Sequence, residues 1–343
     1  LAAMCRSKWG ADVLESKKNT NNFFGVPRNL FRLGPNHKVA LVEIGTNHPG
    51  EVRRLARMTG ADVGIVTSIG KAHLEFFGDV KAVAREKGSL LAELRHGGTA
   101  VVPQNCVCRE ELIVQVPCSN IVTFGEWNGG ADVQVAYEGV RDKGSVISLK
   151  SRRSRLALYG LHWALAGRHQ ADNAAAAVAA ALSLGLEPEF IKQGLQKAEL
   201  PDMRMEIVDA GGVTWFNDAY NSNPQSAAAA LTWFRERLDR ANKQDYKVVL
   251  GDMGELGASS VAEHELLLQR AKSTFGRDNV IAVGRIMTRA GEDENVKTFP
   301  DADKLAEYLR ERQAKGAWIL LKASRSVGLE RALYEFTRTA DQP

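Results

Sequence analysis

The length, charge and cysteine content of the chain exclude several classes of protein. At 343 residues it is long enough for two ordinary domains, each with its own core. Its 45 basic and 41 acidic residues leave a net charge of only +4, so the composition does not favour a nucleic-acid-binding protein. Its four cysteines show no Cys-x-x-Cys spacing, which argues against a structural zinc site and a disulfide framework.

The chain also lacks the sequence features of a membrane or secreted protein. The most apolar segment, residues 174–186, is rich in alanine and too short to cross a bilayer, so we expect a packed helix there. No secretory signal is visible, which favours a cytoplasmic protein. Residues 1–9 are typical of the end of a helix whose beginning is missing, and we therefore expect the chain to be a fragment.

The first candidate binding segment is a polar loop at residues 16–22. Asn21 and Asn22 lie in it and offer hydrogen-bond donors and acceptors without charge, which suits the recognition of a uracil or sugar edge. Residues of these types also form plain turns, so both interpretations stay open.

A second candidate segment, residues 38–48, combines an apolar run with polar residues. Residues 39–42 are continuously apolar, as expected of a strand buried on both faces of a parallel sheet. The run is followed by Glu43, Asn47 and His48, which lie where an open α/β sheet binds its ligands. The alternative is an ordinary loop that happens to contain these residues.

A histidine follows the next predicted strand. Residues 63–67 read as a second buried strand, and His73 comes six residues after them. If the two strands are neighbours, Glu43 and His73 lie at one sheet edge, where a carboxylate and an imidazole can hold a divalent metal. A histidine in a loop can equally be an ordinary hydrogen-bonding residue.

The helix predicted from Val80 carries a lysine on its apolar face. The apolar residues follow the i, i+3, i+4, i+7 pattern of a buried stripe, and at about 100° per residue Lys87 lies only about 20° from Val80. Burying a bare ammonium is costly. Lys87 must therefore reach solvent, pair with an acid, or be altered chemically, for example by carbon dioxide, which would make it an anionic carbamate able to help hold a metal.

The next part of the chain changes character. Residues 131–165 contain short alternating apolar runs separated by turn residues, which predict an antiparallel patch beside a mostly parallel sheet. A helix follows from about Asp172. Asn173, near the predicted start of this helix, can cap it or contact a ligand.

After a linker at residues 201–204 the alternation of strands and helices begins again. We therefore predict an α/β fold with a first domain at residues 1–200 and a smaller, doubly wound Rossmann-like domain at residues 201–343. Polar loops follow three predicted strands of this second domain, at residues 217–224, 251–257 and 322–326. The first loop suits a ribose or phosphate, and the other two, one acidic and one basic, suit a zwitterionic substrate.

Taken together, these segments resemble the Mur ligases, and within that family the branch that joins D-alanyl-D-alanine to UDP-N-acetylmuramoyl-tripeptide. The matching motifs cover nearly the whole chain in the order of the family, and eight of them in register are a specific signal. They are Asn21-Asn22-x-x-Gly25-Val26-Pro27, Glu43-x-Gly45-x-Asn47-His48, Ala72-His73-Leu74-Glu75, Lys87-Gly88, Asn173 with Arg204, Asp218-x-Tyr220-Asn221-x-Asn223-Pro224, Gly251-Asp252-Met253-x-Glu255-Leu256-Gly257 and Lys322-x-Ser324-Arg325-Ser326.

The resemblance implies roles for these residues. Glu43, His73 and a carbamylated Lys87 would hold Mg²⁺, and Lys87, Arg204 and His73 would take part in catalysis. The nucleotide of ATP would contact Asn173, Arg204, Asp218 and Asn221. The UDP-sugar peptide and the incoming dipeptide would contact Asn21, Asn22, Asn47, His48, Asp252, Lys322, Ser324 and Arg325.

The resemblance also implies a reaction and its limits. ATP would convert the terminal carboxylate of the tripeptide into an acyl phosphate, which the amine of D-alanyl-D-alanine then attacks, and closure of the two domains would make residues 201–204 a hinge. The family's phosphate-binding loop, Gly-Lys-Thr or Gly-Lys-Ser, does not occur in this sequence, and we expect the amino-terminal substrate domain to be absent as well. The 343-residue chain alone should therefore bind ATP poorly and not turn over.

Other functions remain open at this point. Another Mur ligase or a folylpolyglutamate synthase would share the metal and lysine elements but should lack the motif from Asn21 to Pro27. A non-catalytic nucleotide-sugar-binding protein would explain the missing phosphate loop. We expect a cytoplasmic monomer without a membrane span and without a nucleic-acid partner.

Overall fold

The structure, a computed structural model, describes residues 1–17, 19–116, 120–142, 144–165, 167–199, 203–312 and 315–338. The chain divides into a first unit, Leu1–Glu199, and a second unit, Leu200–Pro343. The predicted linker at residues 201–204 lies partly outside the described residues.

The first unit mixes short helices with strands, in an order close to the predicted one. Its strands are β1 (Val13–Glu15), β2 (Val39–Leu41), β3 (Val63–Ile65), β4 (Thr99–Pro103), β5 (Ile121–Glu126), β6 (Val133–Arg141), β7 (Gly144–Ser151) and β8 (Ala157–Trp163). Its helices are α1 (Ala2–Trp9), α2 (Gly25–Leu30), α3 (Glu51–Thr59), α4 (Leu74–Phe77), α5 (Val80–Ala92), α6 (Arg109–Ile113), α7 (Arg168–Ser183) and α8 (Pro188–Gln196).

Six strands of the first unit form one sheet, in the order β3-β4-β5-β6-β7-β8. The first three pairs are parallel, and the pairs β6–β7 and β7–β8 are antiparallel. The predicted parallel strands and the antiparallel patch are therefore confirmed. The patch extends the main sheet through the β5–β6 pair, however, and is not a separate side sheet.

The strand that precedes Glu43 lies outside that sheet. β2 pairs in parallel with β1, with Val13 opposite Val39 and Glu15 opposite Leu41. The residues of β2 are half-buried or exposed, so the predicted burial of this strand on both faces is wrong. The physical reason is that a two-stranded sheet leaves each strand with an open edge, and a short apolar run does not distinguish this position from the centre of a large sheet.

Helix α5 begins and packs as predicted. Asp79 caps it by accepting a hydrogen bond of 2.7 Å from the Ala82 N–H. Val83, Ala84 and Leu91 are at most 1% exposed, and Ala84 and Leu91 belong to a core cluster that includes residues of β4 and α6. α6 approaches closely at Gly88, where a Cβ would lie 2.5 Å from the main-chain oxygen of Leu112.

Glu86 connects α5 to the start of α3. Its carboxylate accepts hydrogen bonds from the main-chain N–H groups of Gly50 and Val52, at 2.8 and 2.9 Å. Gly50, the residue before α3, has no side chain that could cap the helix. Glu86, more than thirty positions later in the chain, therefore accepts the hydrogen bonds that a capping side chain would otherwise accept.

Helix α7 packs its alanines into the first unit, as predicted for residues 174–186. Ala175, Ala179 and Ala180 are fully buried. Asp172, in the second turn, is half-buried, and burial, reinforced by repulsion from Glu126, raises the pKa of its carboxyl to about 6.

The second unit contains one six-stranded sheet with helices between its strands. Its strands are β9 (Glu206–Ala210), β10 (Val213–Asp218), β11 (Tyr246–Gly251), β12 (Val280–Val283), β13 (Lys297–Phe299) and β14 (Trp318–Lys322). Its helices are α9 (Pro224–Ala241), α10 (Ser260–Phe275), α11 (Arg285–Asp293), α12 (Ala302–Arg312) and α13 (Arg331–Arg338). The order β13-β12-β11-β14-β10-β9 is parallel except for the antiparallel β9–β10 hairpin, which confirms the predicted doubly wound fold.

Helix α11 was not predicted from the sequence. Gly284, which precedes it, has no side chain, and the carboxylate of Asp252 instead accepts hydrogen bonds from the N–H groups of Arg285, Ile286 and Met287 at 2.7–3.1 Å. Gly284 has φ 106°, and a Cβ there would lie 2.8 Å from Asp252 Oδ1. The start signal of α11 is therefore a distant carboxylate. Across the described ranges, no helix has the length and apolarity that a bilayer span requires.

We expect Gly88→Ala to destabilise the protein. The added methyl group would press on the main chain of α6, which cannot rotate away as a side chain can, and overpacking of this kind costs roughly 1–3 kcal/mol. Alanine gains up to about 1 kcal/mol over glycine within a helix, and because the 2.5 Å approach to a main-chain oxygen places the overpacking cost at the upper end of its range, the net loss should be about 2 kcal/mol.

Urea unfolding measures this loss. Gly34→Ala is the control, because a Cβ at Gly34 would make only an ordinary contact, 3.8 Å from His37 Nδ1. An unchanged or higher midpoint for Gly88→Ala would contradict the close packing of α5 and α6.

We expect Asp172→Asn to stabilise the protein in a pH-dependent way. Because the pKa of Asp172 is raised from 3.8 to about 6, the carboxylate destabilises the folded state fully above about pH 6 and not at all below pH 3.8. Allowing for partial solvent screening, Asp172→Asn should gain roughly 2 kcal/mol at pH 8 and nothing near pH 3.5. Urea unfolding at both pH values tests this, with Asp278→Asn as an exposed control. A gain that is the same at both pH values would refute the assignment.

Candidate functional site

Glu43 is held in place by the polar loop that precedes α2. Its main-chain N–H donates to Ser16 Oγ at 3.0 Å, and Asn21 Nδ2 donates to Glu43 Oε1 at 2.9 Å. The Gly45 N–H donates to the main-chain oxygen of Asn21 at 2.8 Å. A Cβ at Gly45 would lie 2.8 Å from the side chain of Asn21, so glycine allows this close approach. The structure therefore brings Asn21 and Glu43 together.

Asn29, which the sequence analysis missed, organises the same loop. It is only 3% exposed, and its Nδ2 lies within hydrogen-bond distance of Ser16 Oγ, the main-chain oxygen of Thr20 and Thr20 Oγ1, at 2.8–3.1 Å. Because Ser16 accepts from the Glu43 N–H, Asn29 supports Glu43 through one intermediate side chain. A single asparagine in a short helix carries no sequence signal for this role.

Asn22 forms the turn that starts α2. Its Oδ1 accepts hydrogen bonds from the N–H groups of Phe24 and Gly25, at 3.2 and 3.0 Å. This is the turn interpretation that the sequence left open. The predicted contact of Asn22 with substrate stays a prediction.

Asn47 and His48 are arranged around Glu51 at the start of α3. Their main-chain N–H groups donate to Glu51 Oε2 at 2.7 and 3.0 Å. Burial alone would raise the pKa of the Glu51 carboxyl, but these hydrogen bonds outweigh it, so the pKa is lowered. The His48 ring packs on Phe76 of α4, with 4.7 Å between ring centres, and both His48 and Asn47 remain exposed.

His73 lies directly before α4 with φ 57°, in the left-handed region, and its ring contacts Phe77 edge-on with 6.4 Å between centres. The sequence analysis placed Glu43 and His73 at one sheet edge on the condition that β2 and β3 are neighbours, and this condition is not met, because the two strands belong to different sheets. The segments that follow the two strands still meet through the contact of His48 with Phe76.

Lys87 is half-buried and reaches back to the loop that follows β3. Its Nζ donates to the main-chain oxygen of Ser68 at 3.0 Å. Within the described part of the chain no carboxylate lies within ion-pair distance of this amine, so burial lowers the pKa of Lys87. Of the alternatives that the sequence left open, pairing with an acid is therefore not what the structure shows.

The donor set around Glu43 is suitable for a hard, oxygen-preferring cation. Glu43 is exposed and uses one carboxylate oxygen for Asn21. The described residues contain no group of three or more His, Cys, Asp or Glu residues placed to enclose a metal. Mg²⁺ is commonly held by one or two carboxylates together with water and substrate phosphates, and a sparse set of this kind fits that ion better than zinc.

Asn173 does not cap α7. The helix begins at Arg168, and Asn173 lies in its second turn, exposed, with Nδ2 donating to Gln170 Oε1 at 3.2 Å. The capping interpretation is wrong, and the predicted nucleotide contact stays a prediction.

The predicted residues of the second unit converge at the ends of β10 and β14. Asp218 and Lys322 are opposite each other in these parallel strands, and their side chains form an ion pair of 2.8 Å. The Lys322 side chain is only 2% exposed, and its Nζ also donates to the main-chain oxygen of Asn221 at 2.7 Å. Asp218, Asn221 and Lys322 therefore form one network.

Arg204 joins this network through its neighbours. Met203 and Met205 on either side of it both have left-handed φ angles, and the Met205 N–H donates to Asp218 Oδ1 at 3.1 Å. The guanidinium carbon of Arg204 lies 4.5 Å from the centre of the Tyr220 ring. Tyr220 lies in a motif that the sequence analysis quoted, but it was given no role of its own there.

Arg325 and Ser324 lie in the loop after β14. Arg325 donates to Glu330 Oε1 at 2.6 Å and to Met203 Sδ at 3.0 Å, and its side chain stays largely exposed. The Ser324 N–H donates to the main-chain oxygen of Asp252 at 2.9 Å. The Asp252 carboxylate itself is used to cap α11, so the structure gives it a structural role, and its predicted substrate contact stays a prediction.

Comparison with known proteins adds to this geometry. The family model described as the Mur ligase middle domain matches residues 2–181, and the model described as the Mur ligase, glutamate ligase domain, matches residues 203–325. The chain is 32% identical over 339 residues to the UDP-N-acetylmuramoyl-tripeptide–D-alanyl-D-alanine ligase of Escherichia coli K12. This match covers 94% of this chain and 71% of the relative. It is 31% identical over 328 residues to the ligase of the same name from Treponema pallidum, with 93% and 67% covered.

Solved structures agree. The crystal structure of MurF from Acinetobacter baumannii superposes with a TM-score of 0.86 at 28% identity, covering 98% of this chain and 73% of that chain. A folylpolyglutamate synthase from Mycobacterium tuberculosis superposes with a TM-score of 0.64 at 19% identity, over 92% and 71%, which is a likeness of fold alone. From the two matched domains and these relatives, the chain belongs to the Mur ligase family.

Proposed function

We propose that the protein joins D-alanyl-D-alanine to UDP-N-acetylmuramoyl-tripeptide at the expense of ATP, as the names of its relatives state for those proteins. The observation that carries the proposal is the network of the second unit, in which the half-buried Asp218 pairs with the buried Lys322 and also holds the main chain next to Arg204. Cationic groups held by fixed partners are suited to stabilising the charge that develops during phosphoryl transfer.

The reaction would proceed in two steps. The terminal carboxylate of the tripeptide attacks the γ-phosphorus of ATP, which forms an acyl phosphate and releases ADP. The amine of D-alanyl-D-alanine then attacks the acyl carbon, and phosphate leaves as the amide forms and the nitrogen loses a proton. Arg204 is exposed and oriented by its neighbours, so it can meet the oxygens of the transferred group.

Mg²⁺ would be held by Glu43 and His73, with a carbamylated Lys87 in support. When bound, it neutralises phosphate charge. The contribution of this chain is to orient Glu43, because Asn21 occupies one carboxylate oxygen and leaves the other available. Lys87 supports this set, since a buried amine without an acid partner is neutral more often than an exposed lysine and can react with carbon dioxide.

The two substrates would be recognised by uncharged and cationic groups respectively. Asn21, Asn22, Asn47 and His48 present amides and an imidazole in the first unit, which suits the UDP-sugar peptide. In the second unit, the exposed guanidinium of Arg325 is braced by Glu330 and suits the carboxylate of the incoming dipeptide.

The activity is tested with the product of the complete open reading frame. With UDP-N-acetylmuramoyl-tripeptide, ATP and Mg²⁺ present, phosphate release should require D-alanyl-D-alanine and should fall about 100-fold or more for Arg204→Met, as for removal of a charge-stabilising donor elsewhere. Lys243→Met, which removes a half-buried cation just after α9, is the control and should leave the rate unchanged. Turnover with a folate and glutamate instead would assign a folylpolyglutamate synthase, and no turnover with either pair would contradict ligase function.

Carbamylation of Lys87 is tested by ¹³C NMR with labelled bicarbonate. Because burial lowers the pKa of Lys87, a larger fraction of its amine is neutral at a given alkaline pH than for an exposed lysine, so a carbamate signal should appear at alkaline pH and fade as the pH falls. Lys87→Arg has no neutral amine and should abolish the signal, whereas Lys81→Arg, an exposed lysine of the same helix, should retain it. A signal that survives in Lys87→Arg would exclude carbamylation at this site.

A further inference from the structure

We propose that Tyr220 is a positioning residue that orients the Arg204 guanidinium for phosphoryl transfer, an inference that rests on the proposed function. Tyr220 lies in the loop after β10 and is half-buried, while Arg204 is exposed. The guanidinium carbon of Arg204 lies 4.5 Å from the centre of the Tyr220 ring, within the range of a cation–π contact.

The backbone around Arg204 is held in an unusual conformation. Met203 has φ 57° and Met205 has φ 55°, and left-handed φ angles are unfavourable for residues other than glycine. Left-handed conformations on both sides of one arginine are kept only when contacts with the surrounding structure hold them in place.

Those contacts come largely from the loop that carries Tyr220. The Tyr220 N–H donates to the main-chain oxygen of Met203 at 3.2 Å, and Asp218 Oδ1 accepts from the Met205 N–H at 3.1 Å. Asp218 is itself fixed by its ion pair with Lys322. Tyr220 therefore acts on Arg204 twice, through its backbone on the chain before Arg204 and through its ring on the guanidinium.

This arrangement leaves the guanidinium available to an anion. The ring attracts one face of the planar cation, so the N–H groups at the edge of the cation stay free to donate. A long exposed arginine would otherwise sample many rotamers and lose that freedom when the reaction begins. A donor that is already oriented stabilises developing charge without reorganisation.

The first test is independent of activity. A ring stacked on Arg204 should shift the Arg204 Nε–H and Cδ proton resonances upfield in NMR spectra of the protein, with Arg204→Lys used to assign them. Tyr220→Phe keeps the ring and should keep the shift, and Tyr220→Leu should remove it. An Arg204 resonance at its ordinary position in the wild type would overturn the proposal whether or not the protein is a ligase.

The second test measures the reaction of the whole protein. Tyr220→Leu should lower kcat about 10-fold, equivalent to about 1.4 kcal/mol, with little change in KM for UDP-N-acetylmuramoyl-tripeptide or D-alanyl-D-alanine, because Arg204 acts mainly in the transition state. Tyr220→Phe should restore kcat to within about 2-fold, because the Tyr220 hydroxyl has no hydrogen-bond partner in the described part of the chain and contributes nothing to the stacking.

A matched control is available in the same unit. Tyr308 is half-buried and has Lys297 Nζ 4.9 Å from its ring centre, so Tyr308→Leu removes a similar ring from α12 without touching Arg204. Its kcat should be unchanged. If Tyr308→Leu lowers kcat as much as Tyr220→Leu does, or if Tyr220→Phe is as slow as Tyr220→Leu, the effect is general destabilisation or belongs to the hydroxyl, and the positioning role is wrong.

Discussion

The ion pair between the buried Lys322 and the half-buried Asp218 is the interaction on which the polar loops after β10 and β14 depend. Losing one partner of such a pair typically costs about 3–5 kcal/mol, because the other charge is left buried. Its position is determined by strand register, since the two residues are opposite each other in β10 and β14. Each partner also bonds to a neighbouring loop, Lys322 to Asn221 and Asp218 to Met205. The pairing of β10 with β14 therefore also determines where the loops that carry the exposed Arg204 and Arg325 lie.

Much of this fold could be predicted from the sequence, because its signals are local. Asn223 and Pro224 start α9 with a complete capping box, Asp79 caps α5, and the alanines of α7 pack as their composition indicates. The convergence of Asp218, Asn221 and Lys322 also follows from local signals, since polar residues end neighbouring parallel strands. Their roles toward substrates remain proposals.

What the sequence did not reveal depends on contacts between distant residues. Helix α11 is capped by Asp252 and so has no start signal of its own. The exposure of β2 depends on which sheet it joins, which its apolar run does not encode. The contacts of Asn29 with Thr20 and of Tyr220 with Arg204 are seen only in the structure, because the residue type alone does not show that a side chain positions another residue.

Glu86 and Lys87 are consecutive in α5 but serve different parts of the first unit, one capping α3 and the other reaching Ser68. Neighbouring helical residues differ by about 100° in direction and 1.5 Å in position along the axis, so the helix fixes the two side chains relative to each other. Helix α5 thus fixes the distance and direction between the start of α3, close to Asn47 and His48, and the amine of Lys87. Inserting or deleting one residue earlier in α5 would turn both side chains away together, so this stretch of the chain should tolerate substitutions far better than changes in length.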